Sequence, residues 1–322
     1  MPWMDYFERF LQHDRLATGR LINLLESGED QAAVRQVIRA CAAQKKDAYV
    51  VGITGVPGAG KSTLIDQLGC WLLDQGYTVG VICVDPSSPF RGGAILGDRV
   101  RFQNLRGRQG CFVRSMATRG HMGGLGVATR DVIQLLEAGG YDVVIVETVG
   151  TGQTEVEIVS SADTVVLMSV PGLGDQMQMV KAGIMEIGDV FVVNQSDRPG
   201  GDEAVSRLRN NVQMFGNDKG DWRPPVLATV ATKGEGVPEL GAEILRRRDF
   251  LLEKGEKKQL RVKRDVEASI KLVEHRFAAS LKEFTSNSER GIAIREDLES
   301  GDIDVYEASE QIWGEIIRSC SE

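Results

Sequence analysis

The chain has 322 residues, a formal net charge of −8, 42% hydrophobic and 26% charged residues, which suits a globular protein with one large α/β domain and smaller attachments. This acidic balance argues against nonspecific nucleic-acid binding as the main task. The sequence has no apolar run as long as a membrane span, no signal-peptide pattern and no C-x-x-C pair among its five cysteines, so we expect a reduced, cytoplasmic setting.

Residues 1–46 are predicted to form an N-terminal helical segment. Apolar residues such as Phe7, Phe10, Leu21 and Leu25 recur at helical spacing, and Gly28 marks a break between helices. We interpret this segment as a packing appendage rather than a catalytic element.

A phosphate-binding pattern follows the first strand-like run. Gly55 and Gly60-Lys61-Ser62 have the spacing G-x-x-x-x-G-K-S of a P-loop, and a segment compatible with a helix comes next. Lys61 would reach the β- and γ-phosphates and the Ser62 hydroxyl would ligate Mg²⁺, whereas the alternative is a glycine-rich turn with no ligand. The predicted nucleotide-binding residues here are Gly55, Val56, Pro57, Gly58, Ala59, Gly60, Lys61, Ser62 and Thr63.

Residues 47–248 alternate strand-like runs with helical stretches. Because most of the runs are continuous in Val and Ile, both faces of the sheet should be covered by helices, and a doubly wound, mostly parallel sheet of the α/β class is expected. Functional groups should then gather at the carboxyl ends of the strands. The predicted strands are Tyr49–Thr54, Thr78–Val84, Asp142–Glu147, Thr164–Val170, Val190–Asn194 and Val226–Val230.

Two acids end predicted strands. Asp85 could bind the water shell of Mg²⁺ or orient the attacking water, although an Asp before a proline is also a common turn cap. Glu147 ends four apolar residues and has Gly150 three residues later, as in a Walker B and switch II segment, so we expect Glu147 to hold Mg²⁺ through water and the Gly150 amide to sense a γ-phosphate. Residues 91–99 and 112–125 are predicted to be glycine-rich loops. Arg119 in the second loop could touch phosphates or a partner, or simply be exposed.

A base-reading pattern ends the fifth predicted strand. Asn194-Gln195-Ser196-Asp197 matches the guanine-reading N-K-x-D with Gln195 in place of lysine. The Asp197 carboxylate would accept hydrogen bonds from the N1 and N2 donors of guanine, which adenine lacks. An ordinary polar turn is the alternative, but the preceding P-loop and switch II favour base reading. After the last strand, Val230, Ala231 and Thr232 are expected to contact the base.

Residues 249–322 are predicted to form a helical dimerisation arm. Val262, Val266, Ile270 and Val273 form an apolar stripe on a long helix, and a second helix is expected at about residues 302–318. We interpret the basic cluster at residues 257–264 as a solvated helix face.

These motifs resemble those of the MeaB/ArgK-type GTPases, which are chaperones of adenosylcobalamin-dependent acyl-CoA mutases. The resemblance covers nearly the whole chain and is most specific in two runs, Glu147-Thr148-Val149-Gly150-Thr151-Gly152-Gln153 and Pro171-Gly172-Leu173-Gly174-Asp175. It implies a P-loop NTPase fold with a G domain of the SIMIBI type, and a homodimer built by the C-terminal arm.

The resemblance also assigns roles to single residues. It implies that Lys61, Asp85, Asp98 and Glu147 serve hydrolysis. It places Ser62, Asp85, Asp98 and Glu147 around the magnesium ion and makes Asn194 and Asp197 the guanine readers. Residues 172–181, with Gln178 and Lys181, resemble a third switch that contacts the mutase. Because Gln195 replaces a lysine whose stem packs over guanine, looser base binding is expected.

The function implied by this resemblance is a GTP-binding and GTP-hydrolysing chaperone with GTP/GDP and Mg²⁺ as ligands. Such a protein gates adenosylcobalamin loading and protects or reactivates its mutase, with slow intrinsic hydrolysis that the partner stimulates. We expect no nucleic-acid or membrane partner. The alternative is a P-loop ATPase or kinase of a metabolite or amino-acid transport system, but the sequence shows neither an acceptor pocket nor a base for the acceptor hydroxyl.

Overall fold

The computed structural model describes residues 2–44, 46–85, 102–117, 124–148, 162–172, 184–215 and 220–321. In chain order the strands are β1 (Tyr49–Gly55), β2 (Val79–Asp85), β3 (Cys111–Ala117), β4 (Val143–Thr148), β5 (Thr164–Ser169), β6 (Val190–Asn194) and β7 (Val226–Thr229). The helices are α1 (Pro2–Leu11), α2 (Arg15–Ser27), α3 (Gln31–Ala43), α4 (Lys61–Asp74), α5 (Gly124–Ala138), α6 (Gly201–Phe215), α7 (Val237–Glu253), α8 (Glu256–Asn287), α9 (Glu289–Ser300) and α10 (Val305–Ser321).

The seven described strands form one sheet in the order β3-β2-β4-β1-β5-β6-β7, and neighbouring strands in it run parallel. The predicted doubly wound α/β fold is therefore confirmed. β1 lies between β4 and β5, so the loop that follows β1 emerges beside the ends of both neighbours. This position at the carboxyl edge is where ligands bind in open α/β sheets.

Two apolar layers cover the faces of the sheet, as the continuous Val and Ile runs predict. Val51 and Ile53 of β1 face a layer formed with α4 and α7, whereas the preceding residue Val50 faces a layer formed with α5 and the N-terminal helices. The N-terminal segment contributes Phe10 and Leu21 to this second layer, so it covers one face of the sheet. Among the described residues, none of the helices combines the length and the apolar character needed to cross a membrane.

The sequence interpretation missed β3. It predicts that residues 112–117 begin a glycine-rich loop, but they form a strand that pairs along its whole length with β2. The physical reason is the edge position: Arg114 and Ser115 interrupt the apolar run, yet an edge strand tolerates them. Arg114 binds Asn23 and the buried Glu26 of α2, at 2.6 and 3.1 Å. These partners lie far away in sequence.

The basic cluster at residues 257–264 is only partly a solvated face. Lys258 and Lys263 are exposed, but the prediction was wrong for Lys257, Arg261 and Arg264, which form ion pairs. Lys257 is buried, and its ammonium group donates to Asp47 at 2.7 Å and to the carbonyl of Ala48 at 3.1 Å. Arg261 donates to the Ala48 carbonyl and to Glu137, both at 2.7 Å. The first turns of α8 are thus fixed to the amino-terminal edge of the sheet.

The chain divides into two compact units, Met1–Asp265 and Val266–Glu322, with the division inside α8. The second unit contains the rest of α8 together with α9 and α10, and α9 is an additional helix that the sequence interpretation did not separate. Ser288 caps α9 by accepting from the Gly291 amide at 2.9 Å. Phe277 meets Trp313 edge to face, with ring centroids 6.3 Å apart.

Candidate active site

The loop between β1 and α4 has the backbone that a P-loop requires. Gly55 has φ 145°, and a Cβ there would lie 2.1 Å from the carbonyl oxygen of Met168 on β5, so only glycine fits. Gly60 has φ 82° and precedes α4 without a side-chain cap. The first amides of α4 are therefore available to an anion, with the helix dipole favouring negative charge.

Lys61 holds its charge inside this loop. The residue is only 7% exposed, and its ammonium group donates to the carbonyls of Gly55 at 2.8 Å and Val56 at 3.1 Å. Carbonyl contacts of this kind orient an ammonium group without neutralising it. A phosphate entering the loop would therefore meet a positive charge already in place.

The two residues predicted to serve the metal lie together: Ser62 is in the first turn of α4, and Glu147 is near the carboxyl end of β4. The Ser62 hydroxyl donates to Glu147 Oε1 at 2.7 Å, and Glu147 is only 2% exposed. A hydroxyl and a carboxylate are oxygen ligands of the kind that Mg²⁺ takes alongside phosphates and water. Ser62 and Glu147 are therefore the described residues that would hold a magnesium ion next to bound phosphates.

Cys83 is a contact of Glu147 that the sequence interpretation missed. Its thiol on β2 donates to Glu147 Oε2 at 3.3 Å, and the two residues are register partners in the sheet. The strand register would have revealed this pair, but only after β2 and β4 were known to be neighbours. The thiol and Ser62 thus occupy both oxygens of the carboxylate and fix its orientation.

Asn194 connects the phosphate loop to the predicted base-reading loops. Its side-chain amide donates to the carbonyl of Ala59 at 2.7 Å. Its oxygen accepts from the Ala231 amide and from the Thr229 hydroxyl, both at 3.0 Å. The residue is 2% exposed, and both polar atoms of its side chain are used. One buried side chain therefore holds the P-loop, the end of β6 and the turn after β7 in a single site.

Gln195 also contacts the P-loop. It adopts the left-handed backbone with φ 57°, and its amide nitrogen lies 3.3 Å from the carbonyl oxygen of Gly58, to which it donates. A Cβ at Gly60 would come within 2.7 Å of the Asn194 amide nitrogen, which explains why glycine stands there. Glutamine at this position therefore reaches the phosphate loop, although it brings no charge.

Asp197 is paired with a lysine that the sequence interpretation did not single out. The Lys233 ammonium group donates to Asp197 Oδ2 at 2.9 Å. This hydrogen bond holds the pKa of the Asp197 carboxyl below its usual range and raises the pKa of Lys233. Lys233 ends the short 3-10 helix Ala231–Lys233, in the turn predicted to contact the base. Spacing alone could not reveal this pair, because α6 and β7 separate the two residues in sequence.

Comparison with known proteins gives the family. A family model described as methylmalonyl Co-A mutase-associated GTPase MeaB matches residues 18–286. The chain belongs to the MeaB family of GTPases. A protein from Pyrococcus abyssi whose name includes the word GTPase is 47% identical over 97% of this chain and 96% of its own. The GTPase ArgK of Escherichia coli is 36% identical over 82% of this chain and 81% of its own.

A solved structure shares this fold over nearly the full length of the chain. The protein described as LAO/AO transport system kinase aligns with a TM-score of 0.74 and 26% identity, over 98% of this chain and 97% of that one. Membership of the MeaB family together with this fold identifies a GTPase that binds guanine nucleotides.

Several residues predicted for this MeaB-family site lie outside the described part of the chain. They are Asp98 and Gly150, the switch residues Thr151, Gln153, Gln178 and Lys181, and the loop residue Arg119. The side chain of Asp85 is likewise not described, although its backbone ends β2. Within the described part, the structure brings together Lys61, Ser62, Glu147, Asn194 and Asp197 with the P-loop and the turn at residues 230–232.

Proposed function

We propose that this chain binds GTP and Mg²⁺ at the carboxyl ends of β1, β4, β6 and β7 and hydrolyses GTP to GDP and phosphate there. The observation that carries the proposal is the Asn194 side chain, which bonds both the P-loop carbonyl of Ala59 and the amide of Ala231. A phosphate site and a base site are thereby held at a fixed separation, as a nucleotide requires.

The phosphates are assigned to the P-loop amides, the N-terminus of α4 and Lys61. Ser62 and Glu147 would hold Mg²⁺, and the resemblance adds Asp85 and Asp98 to that set. When bound, the metal would offset negative charge on the phosphate oxygens. Ser62 could turn to the metal while Cys83 keeps its bond to Glu147, because the two donors use different oxygens of the carboxylate.

The base is assigned to Asp197, with Asn194 and residues 230–232 shaping the pocket. A carboxylate only accepts hydrogen bonds, so it suits the two adjacent donors of guanine and leaves adenine without a match. A site built to bond these donors rejects an analogue that lacks them, since its own polar groups would then stay unpaired.

We further propose that GTP turnover serves an adenosylcobalamin-dependent acyl-CoA mutase, by gating cofactor loading and protecting or reactivating the enzyme. Support comes from the family, whose description names methylmalonyl-CoA mutase. A mouse protein named methylmalonic aciduria type A homolog, mitochondrial, is 38% identical over 60% of this chain and 47% of its own. A cytoplasmic location remains part of this proposal.

We expect slow intrinsic hydrolysis that the mutase accelerates. A cation supplied to the transition state is worth ~10³–10⁵ in kcat in well-studied G proteins, so a stimulation of at least about tenfold is expected. The measurement is GTP turnover with and without a purified mutase, for the parent and for Gln178→Ala/Lys181→Ala. Stimulation should be lost in the double variant and kept in the surface control Lys254→Ala. Equal rates in all samples would leave a nucleotide hydrolase with no coupling to the mutase.

The second candidate is a kinase or ATPase of a transport system, because the similar solved protein is called a transport system kinase. A nucleotide titration separates the two. Tight GDP binding with weak ADP binding supports the GTPase, and the reverse supports the alternative. Transfer of the γ-phosphate to an added amino acid or binding protein, rather than to water, would also favour the kinase.

We also propose a homodimer formed through the C-terminal arm. Val262, Val266, Ile270 and Val273 lie along one stripe of α8, and each is more than half exposed. Trp313 of α10 is also 56% exposed. Exposed apolar side chains that recur along one face of a helix are typical of a protein–protein interface. A closed twofold dimer would bury such a stripe against its own copy.

Replacing Ile270 and Val273 by aspartate should produce a folded monomer, because two buried charges per protomer would oppose association. A chain ending at Asp265, which keeps the whole first compact unit, should also be monomeric and still bind nucleotide. The measurement is molar mass by light scattering over a concentration series. Met214→Asp, at an apolar α6 residue that is 76% exposed, is the matched control. Dimers that persist in both variants would place the interface elsewhere.

A further inference from the structure

The ion pair between Lys233 and Asp197 lies within the predicted base site. Asp197 follows β6 in the N-x-x-D turn, and Lys233 ends the turn after β7. Both side chains are about half exposed, at 54% for Lys233 and 41% for Asp197, so neither is buried by the rest of the fold. Two solvent-exposed side chains therefore meet where a nucleobase would be read, rather than in a structural core.

The position of Lys233 is fixed by the same residue that connects the phosphate and base loops. The Ala231 amide donates to Asn194, and the Val230 amide donates to the carbonyl of Glu235 at 3.0 Å, which closes the turn around Lys233. The end of β7 also holds the Asp197 turn, since the carbonyl of its last residue accepts from the amide of residue 196 at 3.1 Å. The two backbones are thus held side by side, and the ion pair follows from their spacing.

The neighbouring position lacks the positive charge of the family pattern. Gln195 replaces the lysine of N-K-x-D and donates its amide to the Gly58 carbonyl. Its side-chain oxygen is buried and has no hydrogen-bond partner among the described residues. Within this turn Gln195 therefore serves the P-loop and does not orient Asp197. Lys233 is the group that bonds the reading carboxylate.

We propose that Lys233 is a specificity-determining residue of the base site, because it holds the Asp197 carboxylate in the orientation that accepts the two donors of guanine. The inference rests on the proposed role of Asp197. An ionised carboxylate has about four lone-pair sites on two oxygens, so Lys233 on Oδ2 leaves Oδ1 and part of Oδ2 open to the base. Fixing the carboxylate before binding lowers the ordering cost of complex formation.

The size of the effect follows from the exposure of the pair. Exposed ion pairs contribute little to stability, and the corresponding loss in affinity is about two- to fivefold. We therefore expect Lys233→Met to weaken GDP binding about two- to fivefold and to leave the weaker ADP binding unchanged. Lys233→Arg should restore most of the affinity. The difference in GDP affinity between the parent and Lys233→Met should become smaller as the salt concentration is raised.

The experiment is a calorimetric titration with GDP and ADP of the full chain and its variants. Lys254→Met is the matched control, because Lys254 forms an exposed ion pair with Asp221 away from the site. A double-mutant cycle with Asp197→Ala tests whether Lys233 acts through Asp197, since Lys233→Met should not change GDP affinity once the Asp197 carboxylate is absent. Circular dichroism and thermal melting check that each variant is folded.

The outcomes separate this inference from the proposed function. Unchanged or tighter GDP binding in Lys233→Met would overturn the inference, as would an effect that persists in the Asp197→Ala background. Undiminished preference for GDP in Asp197→Ala alone would instead overturn the assignment of Asp197 as the base reader. Loss of preference in Asp197→Ala with no change in Lys233→Met would leave the proposed function intact and remove only the role of Lys233.

Discussion

Replacing Lys61 by alanine should reduce GTP hydrolysis at least ~10²- to 10³-fold, the cost of removing one preorganised electrostatic group from a transition state. The Lys61 ammonium lies inside the P-loop and contacts the carbonyls of Gly55 and Val56, so its charge belongs to the phosphate site rather than to the apolar core. Single-turnover hydrolysis of GTP measures the effect directly.

The fold should survive this change, because Lys61 supplies charge to the phosphate loop and is not part of the apolar core. Far-ultraviolet circular dichroism and the thermal midpoint should match those of the parent. Lys254→Ala, at an exposed lysine that follows the last residue of α7 and pairs with Asp221, should hydrolyse GTP at the parent rate. Parent-like turnover in a folded Lys61→Ala protein would remove the P-loop assignment.

Replacing Arg261 by alanine should lower the free energy of unfolding by about 3 kcal/mol, since removing one partner of a buried ion pair leaves an uncompensated charge. Arg261 bonds Glu137, whose carboxyl is largely buried, and it also approaches Asp163, which is 1% exposed. Asp163 keeps Arg264 as a partner at 2.9 Å, so Glu137 bears most of the loss. Urea unfolding measures this difference in the free energy of unfolding, and the slope of that free energy against urea concentration should be the same in parent and variant.

The Arg261 variant should also show a distinctive pH dependence. Burial raises the pKa of the Glu137 carboxyl in the folded parent, and Arg261 opposes that rise. Without Arg261 the folded pKa rises further, so the buried charge destabilises the protein above that pKa and is relieved by protonation below it. The loss in the free energy of unfolding caused by Arg261→Ala should therefore be larger at pH 8 than at pH 5. Lys263→Ala, on an exposed side of α8, should cost little at either pH, and an equal loss in both variants would contradict the ion-pair explanation.

Local patterns were enough to predict the P-loop, six of the strands and the acid at the end of β4. Each of these depends on neighbours in sequence: glycine spacing, a continuous apolar run, or a polar residue at a strand end. β3 was missed because Arg114 interrupts its apolar run, and the partner that makes the interruption tolerable is Glu26 of α2. A local sequence pattern does not show contacts between residues that are so far apart in the chain.

The same limit explains why the contacts of three basic side chains were not predicted. Lys257 and Arg261 look like a solvated helix face until the fold brings Asp47 and Glu137 against them. No sequence pattern assigns a role to Lys233, yet the parallel pairing of β6 and β7 places it beside the N-x-x-D turn. Charge pairs between separate elements are decided by strand order and register, which single-sequence periodicity does not contain.

β1 has a different attachment at each of its ends. Its carboxyl end opens into the P-loop, while the carbonyl of Ala48, just before its amino end, accepts from both Lys257 and Arg261 of α8. Seven extended residues, about 23 Å at ~3.3 Å each, separate the two attachments. A central strand that is hydrogen-bonded to a neighbour on each side resists bending. β1 therefore holds the phosphate site and the first turns of α8 at a fixed distance from each other.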